Sequence, residues 1–140
     1  MIVLDTDLLT LLERDDAPAR QLVRRLAEVD PAVVCTTIVN FEEQMRGWLA
    51  VVAQARSVRQ QVAAYDRLRQ FVDNYRHTLL LRFDESAAVE FQRLRRTYRR
   101  LGTNDLKIAA IVIANRAKLL TRNMSHFRQI EGLDAEDWTV

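Results

Sequence analysis

Four side chains suited to binding a hard metal ion follow short apolar segments of this sequence. Asp5 comes directly after Ile-Val-Leu in MIVLDTD, and Asp105 opens the apolar stretch of GTNDLKIAA. Glu42 lies about one helical turn beyond the threonine pair of TTIVNFEE, and Asn123 ends LLTRN. Carboxylates without histidine or cysteine make a poor zinc site but suit Mg²⁺ or Mn²⁺. The chemistry they predict is metal-assisted hydrolysis of a phosphodiester, in which the bound metal activates a water.

Each of these residues also has an ordinary structural interpretation. An acid in the first turn of a helix, such as Asp105, is favoured by the positive end of the helix dipole. Glu42 and Glu43 are adjacent, so at least one of them is expected on a solvated helix face. Asn123 fits a turn or a helix cap, and Asp5 fits the cap of a helix that begins near Leu8. The metal-site hypothesis therefore depends on whether the fold brings the four together.

The elements that would position them are strands alternating with helices. Helical periodicity, with its end signals, predicts helices over 17–29, 58–76 and from Asp84 to Gly102, and a buried central helix over 106–114. Short apolar runs predict five strands, over 2–4, 33–37, 79–83, 119–121 and 138–140.

Such alternation predicts an α/β fold, a three-layer α/β/α sandwich around a central parallel sheet of four to five strands. At this length the chain is expected to form a single domain over 1–140. Ligands of such sheets bind beyond the carboxyl ends of the strands, near the switch point of the strand order. Asp5, Glu42, Asp105 and Asn123 are all predicted at that edge.

Composition narrows the class of protein. No apolar run approaches the roughly 20 residues that cross a bilayer, no positive segment precedes the N-terminal apolar stretch, and Cys35 is the single cysteine. We therefore expect a cytoplasmic protein without a membrane partner. Of 21 basic residues only Lys107 and Lys118 are lysines, and this excess of arginine gives weak support to a nucleic-acid partner.

The segments MIVLDTD, TTIVNFEE, GTNDLKIAA and LLTRNMSHFRQIEGLDAEDW resemble, in order and spacing, the motifs of PIN-domain ribonucleases. They are most similar to those of the VapC-type toxins of bacterial toxin–antitoxin pairs, over essentially the whole chain. The resemblance implies Mg²⁺ or Mn²⁺ as cofactor, RNA as substrate, a cognate antitoxin protein as partner and a homodimer.

The resemblance also implies roles for single residues. Asp5, Glu42 and Asp105 match the metal-binding acids, and Asn123 stands where many relatives carry a fourth carboxylate. His126 stands where relatives often carry an aspartate, and both a general-base role and an exposed helix histidine remain open.

Further side chains are expected around these acids. Thr6 and Thr36 are expected to orient the acids by hydrogen bonds, and Lys107 to lie close to one of them. The arginines between 93 and 100 are expected either on a solvated helix face or in contact with RNA phosphates.

The sequence thus predicts a metal-dependent endoribonuclease, the toxin of a toxin–antitoxin pair. Two alternatives stay open. One is a PIN-fold module that binds RNA or protein with little or no catalysis, and the other is a housekeeping RNA-processing nuclease without an antitoxin.

Overall fold

The computed structural model describes residues 1–140 and contains one five-stranded sheet in the order β3-β2-β1-β4-β5, with every neighbouring pair parallel. Helices cover both faces, so the predicted three-layer α/β/α sandwich is confirmed. The strands are β1 Ile2–Leu4, β2 Val34–Thr37, β3 Leu80–Leu81, β4 Lys118–Leu120 and β5 Asp134–Glu136.

Seven helices connect the strands or follow them. They are α1 Thr6–Leu11, α2 Ala17–Leu26, α3 Ile38–Gln54, α4 Val58–Asn74, α5 Glu85–Thr97, α6 Thr103–Ala114 and α7 Met124–Phe127. Each β-to-α crossing places a helix start at the same edge of the sheet, because all strands point the same way. None of these helices has the length and apolarity that a membrane crossing demands.

Neighbouring residues of each strand point to opposite faces of the sheet and build two separate cores. Val3 belongs to the larger core, with the buried side chains of α5 and α6, whereas Leu4 belongs to the smaller one, with α1 and α2. Helix α6 is buried along most of its length, as its apolar sequence predicted. The sheet is therefore a rigid support with its strand ends on one edge.

The predicted strand at 138–140 is wrong, because β5 lies four residues earlier. Asp134–Glu136 pairs with β4, with Leu119 opposite Ala135. This edge strand has a polar sequence, so no apolar run marks it. Trp138 instead packs in the smaller core after the strand has ended. The guanidinium of Arg25 lies 4.5 Å from the centre of its ring.

All four predicted helices are present with ends shifted by a few residues, and for two of them the difference bears on packing or on the site. Helix α4 turns Ala64 and Phe71 into the protein, whereas Val58 and Val62 of the predicted apolar face are 75% and 58% exposed. The predicted helix from Asp84 to Gly102 ends early, at Thr97. Gly102 is instead the residue that precedes α6, so a loop separates two helices at the edge that carries Asp105.

Candidate active site

Asp5 is held at the switch point of the sheet, between the ends of β1 and β4. Its backbone N–H donates to the carbonyl of Leu120 over 3.0 Å, and the residue is 7% exposed. Its Oδ1 accepts hydrogen bonds from the backbone of Thr6 at 2.9 Å and from Nδ2 of Asn40 at 3.0 Å. Its Oδ2 accepts one from the hydroxyl of Thr121 at 2.8 Å. Asp5 is thus a buried, oriented carboxylate rather than a solvated one.

The start of α3 supplies the amide that holds Asp5. Thr37 caps this helix, since its hydroxyl accepts from the backbone N–H groups of Val39 and Asn40. Asn40 Oδ1 accepts in return from the Thr37 hydroxyl, at 2.6 Å, and Nδ2 is left to donate to Asp5 and, at 2.9 Å, to the Thr6 hydroxyl. A capping box therefore fixes the amide orientation, because a flipped amide would lose these bonds.

The end of β4 supplies the second anchor. The hydroxyl of Thr121 donates to Asp5 and accepts from the backbone N–H of Asn123 at 3.0 Å. The side chain of Asn123 is thereby placed beyond the strand, within 2.9 Å of Nδ1 of His126.

Of the two adjacent glutamates on α3, the structure turns Glu43 toward the aspartates. Burial, and after it the charges of Asp5 and Asp105, raise the pKa of Glu43, and its Oε1 atom is buried without a hydrogen-bond partner. Glu42, the residue selected from the sequence, forms an ion pair with Arg46 at 2.9 Å, and its side chain is 45% exposed. Residues one apart on a helix point about 100° away from each other, so only one of the pair faces the site.

Asp105 lies in the first turn of α6 and meets α7. Its Oδ2 atom is 3.1 Å from Nδ1 of His126. The same nitrogen faces the amide of Asn123, and because it carries either a proton or a lone pair, it can serve only one of the two at a time. Protonated, it donates to Asp105. The structure thus links Asp105 and Asn123 through His126.

The three neighbouring residues expected around the acids fall in different places. Thr6 contacts Asp5 and Asn40 as described. Thr36 is buried, and its hydroxyl donates to the backbone carbonyl of Leu4 at 2.7 Å. It therefore joins β2 to β1 and contacts no carboxylate. Lys107 forms no ion pair within 4.0 Å with any acid, and its ammonium lies 5.8 Å from the ring centres of Phe83 and Phe91.

Burial is the main influence on the pKa values of the clustered acids, and repulsion between like charges adds to it. Desolvation is the largest cause that raises the pKa of Asp5 to about 6, and the neighbouring charges of Asp7 and Asp105 add to it. Burial likewise raises the pKa of Glu43 to about 7, with smaller contributions from the surrounding acids. No lysine or arginine nitrogen lies within 4.0 Å of Asp5, Glu43 or Asp105.

These residues fit a divalent cation. In this structure no three histidine, cysteine, aspartate or glutamate side chains lie close enough together to hold a metal ion. The buried, unpartnered oxygen of Glu43 nevertheless points to a missing positive partner, since buried polar atoms are normally satisfied. Oxygen donors on Asp5, Glu43 and Asp105 are the type that Mg²⁺ and Mn²⁺ accept.

Sequence reasoning did not select Asn40, Thr121 or Glu43. A signal for Asn40 was present, because a threonine followed three residues later by a residue able to return the bond is a capping-box pattern. For Thr121 and Glu43 no local signal exists, since their roles depend on which side chain faces Asp5 across the sheet edge.

Comparison with known proteins gives a family match and several similar folds. Residues 2–133 match the family model described as PIN domain. A chain in the structure of VapBC-1 from nontypeable Haemophilus influenzae is 21% identical, with 100% of each chain covered and a TM-score of 0.78. For FitAcB from Neisseria gonorrhoeae the identity is 21%, the coverage 99% of this chain and 98% of that one, and the TM-score 0.74.

A third similar structure is VapBC-5 from Mycobacterium tuberculosis, described as a member of the VapBC family of toxin–antitoxin systems. It is 19% identical, covers 96% of each chain and has a TM-score of 0.58. At these identities the likeness shows the fold. No curated protein sequence matches the chain significantly.

Proposed function

The chain belongs to the PIN-domain family, and from this premise we propose that it is a divalent-metal-dependent endoribonuclease, the toxin of a toxin–antitoxin pair. One observation carries the proposal. Asp5, Glu43 and Asp105 share the carboxyl edge of the sheet, and no lysine or arginine of the chain neutralises them. Three acids in this arrangement cost stability unless a cation joins them.

Asp5, Glu43 and Asp105 would hold the ion, and Glu43 replaces Glu42 in this role. A divalent ion in such a site supplies positive charge for the phosphoryl oxygens and lowers the pKa of water, which is the chemistry of phosphodiester hydrolysis. Thr121, Asn40 and the Thr6 backbone keep the Asp5 carboxylate aimed at the site, so that little reorganisation is needed when substrate arrives.

Asn123 and His126 complete the site on its α7 side. Asn123 offers an uncharged amide where a fourth acid would add further repulsion, and His126 holds Asp105 through Oδ2. Both side chains are accessible to a phosphate that approaches the acids.

The proposed partners are a cognate antitoxin and a second copy of the chain. The structure of VapBC-5, named as part of a toxin–antitoxin system, supports the first by analogy of fold. A cationic side chain inserted by an antitoxin would pair with the three unneutralised acids and block the ion. Apolar side chains exposed on α3 and α4, among them Leu49, Val58 and Val62, support a self-association surface.

Induced expression in a bacterial host tests the proposal. We expect the parent chain to arrest growth, and Asp5→Asn and Asp105→Asn to relieve the arrest at equal protein level. Co-expression of the product of an adjacent small open reading frame should also relieve it. Arrest that persists in both variants would favour a binding module without catalysis, and the lack of any inhibitor gene would favour a housekeeping nuclease.

A further inference from the structure

A basic groove with no part in the chemistry above lies at the segment that leads into α6, the helix that carries Asp105. The segment 96–101, which joins α5 to α6, forms one wall, and Gln129 after α7 forms the other. Exposed side chains of Arg96, Arg99 and Arg100 line it together with Tyr98, and its volume is about 360 Å³. We call it the arginine groove.

The three guanidinium groups of the arginine groove have no counter-charge in the chain. None of them lies within 4.0 Å of a carboxylate, whereas their neighbour Arg93 binds Glu90 at 2.8 Å. Arg95, on the same helix, lies over the ring of Phe91. Positive charge that is concentrated in a concave surface and left unpaired attracts a polyanion.

Both walls of the groove continue into the candidate active site. Helix α6 starts at Thr103, directly after the groove, and carries Asp105 in its first turn. Since Arg100 precedes Asp105 by five residues, their Cα atoms are at most about 18 Å apart. On the other wall, Gln129 donates to the carbonyl of Ser125 at 2.7 Å, next to His126, which contacts Asp105. A strand of a few nucleotides can therefore reach from the acids to the arginines.

The shape of the groove is fixed by Tyr98. Its hydroxyl accepts a hydrogen bond from the backbone N–H of Glu131 at 2.8 Å, which ties the segment 96–101 to the chain beyond α7. Its own backbone N–H donates to Leu94, and its carbonyl accepts from Leu101. The backbone of the segment 96–101 is thus held in place, while the side chains of its exposed arginines can adjust to a ligand.

We infer that the arginine groove binds the sugar–phosphate backbone of the RNA substrate outside the bond that is cleaved. Guanidinium forks match phosphate oxygens, and a cationic groove beside an aromatic ring is the usual surface for single-stranded nucleic acid. The inference rests on the proposed function, because it assigns to the groove the substrate of that site. An acidic segment of a protein partner is the competing occupant.

Salt-dependent binding of RNA tests the inference without any need for cleavage. The probe is a fluorescein-labelled oligouridylate of about 15 nucleotides, long enough for one groove, titrated in EDTA at several KCl concentrations and followed by anisotropy. The variant Arg96→Gln/Arg99→Gln/Arg100→Gln is compared with Arg56→Gln/Arg59→Gln/Arg67→Gln. The second variant removes the same charge from three exposed positions, of which Arg56 precedes α4 and Arg59 and Arg67 lie within it.

We expect the groove variant to bind at least about tenfold more weakly at about 0.1 M salt, and the slope of log affinity against log salt to fall by about 2, since each single-strand phosphate contact contributes about 0.7. The control variant should keep the slope of the parent. If circular dichroism shows that the triple variant is unfolded, each single substitution should lower the slope by about 0.7.

Three results would overturn the inference. They are a parent that does not bind the probe, a groove variant with the affinity and slope of the parent, and a groove variant that keeps RNA binding but loses binding to an antitoxin. The assay contains no divalent ion, so its failure is separate from failure of the proposed function, which would appear as an Asp5→Asn variant that still cleaves RNA.

Discussion

Asn40 donates a hydrogen bond to Oδ1 of Asp5 over 3.0 Å, from a side chain with no exposed surface. Its other bonds reach Thr6 and Thr37, so one amide joins the end of β1 to the start of α3. The position of the Asp5 carboxylate is therefore set by the capping of a helix that starts 33 residues later in the chain.

Replacing Asn40 should disturb both stability and the site. Asn40→Ala removes one hydrogen bond from Asp5 Oδ1 and one from the Thr37 hydroxyl, and both groups are buried. We therefore expect the free energy of unfolding to fall by about 1–3 kcal/mol. Urea unfolding measures it. Asn74→Ala is the matched control, because Asn74 is an exposed helical amide bonded only to Gln70, and it should change stability by less than half as much.

The two adjacent glutamates of α3 give the sharpest comparison. Glu43→Gln should lower metal-dependent RNA cleavage by at least about 100-fold, since even residues that only orient metal ligands contribute 10- to 100-fold. Glu42→Gln removes an exposed ion pair with Arg46 and should leave cleavage near the parent rate. The reverse order of activities would show that Glu42 is the ligand and that the assignment of Glu43 is wrong.

Stability without metal should fall as the pH rises. The pKa of Asp5 is raised to about 6 from 3.8, and that of Glu43 to about 7 from 4.5. Groups raised in the folded state stabilise it below their unfolded pKa and lose that contribution as the pH rises through the folded pKa. In EDTA, these two acids should therefore lower Tm progressively between about pH 4 and pH 7.

Added Mg²⁺ or Mn²⁺ should restore this loss, and should raise Tm more at about pH 7.5 than at about pH 5, because protons compete for the ligands. The control is Glu43→Gln, which should show a smaller fall in EDTA and a smaller gain with metal. A metal-induced rise in Tm that is the same at both pH values and in both proteins would contradict the site.

The hydroxyl of Thr121 bonds to both Asp5 and Asn123, and replacing it tests whether this hydrogen bond affects the pKa of Asp5. Its hydrogen bond lowers the pKa of Asp5, so Thr121→Val should raise that pKa further above its ordinary value. NMR titration of labelled aspartate carboxyl groups measures the shift. Thr10→Val is the matched control, because the Thr10 hydroxyl contacts only a backbone carbonyl, and it should leave the Asp5 titration unchanged.

The fold was predictable from the sequence because short apolar runs mark most of the strands and apolar residues at helical spacing mark the helices. Apolar strand runs and the nearly all-apolar α6 determine a parallel sheet with its acids at one edge. The polar edge strand at 134–136 was missed, since it buries too little to leave an apolar pattern. The apolar face of α4 was also misassigned. Val58 and Val62 follow helical spacing, but their side chains are exposed to solvent.

The contacts of the site side chains were less predictable from the sequence than the helices and strands that carry them. Asp5 and Asp105 are placed by strand and helix ends, which the sequence marks. The distinction between Glu42 and Glu43 depends on the phase of α3 relative to the sheet, which is set when Thr37 and Asn40 close the capping box. Lys107 has the spacing to reach the acids, yet its ammonium lies over the rings of Phe83 and Phe91 and forms no ion pair with the acids.

The most direct test of a metal-dependent ribonuclease site is cleavage of a structured RNA by the purified chain, with Mn²⁺ or Mg²⁺ and with EDTA, followed on a denaturing gel. We predict cleavage by the parent only when a divalent ion is present, and none by Asp5→Asn, with folding checked by circular dichroism. Cleavage that persists in EDTA, or an Asp5→Asn variant as fast as the parent, would contradict it.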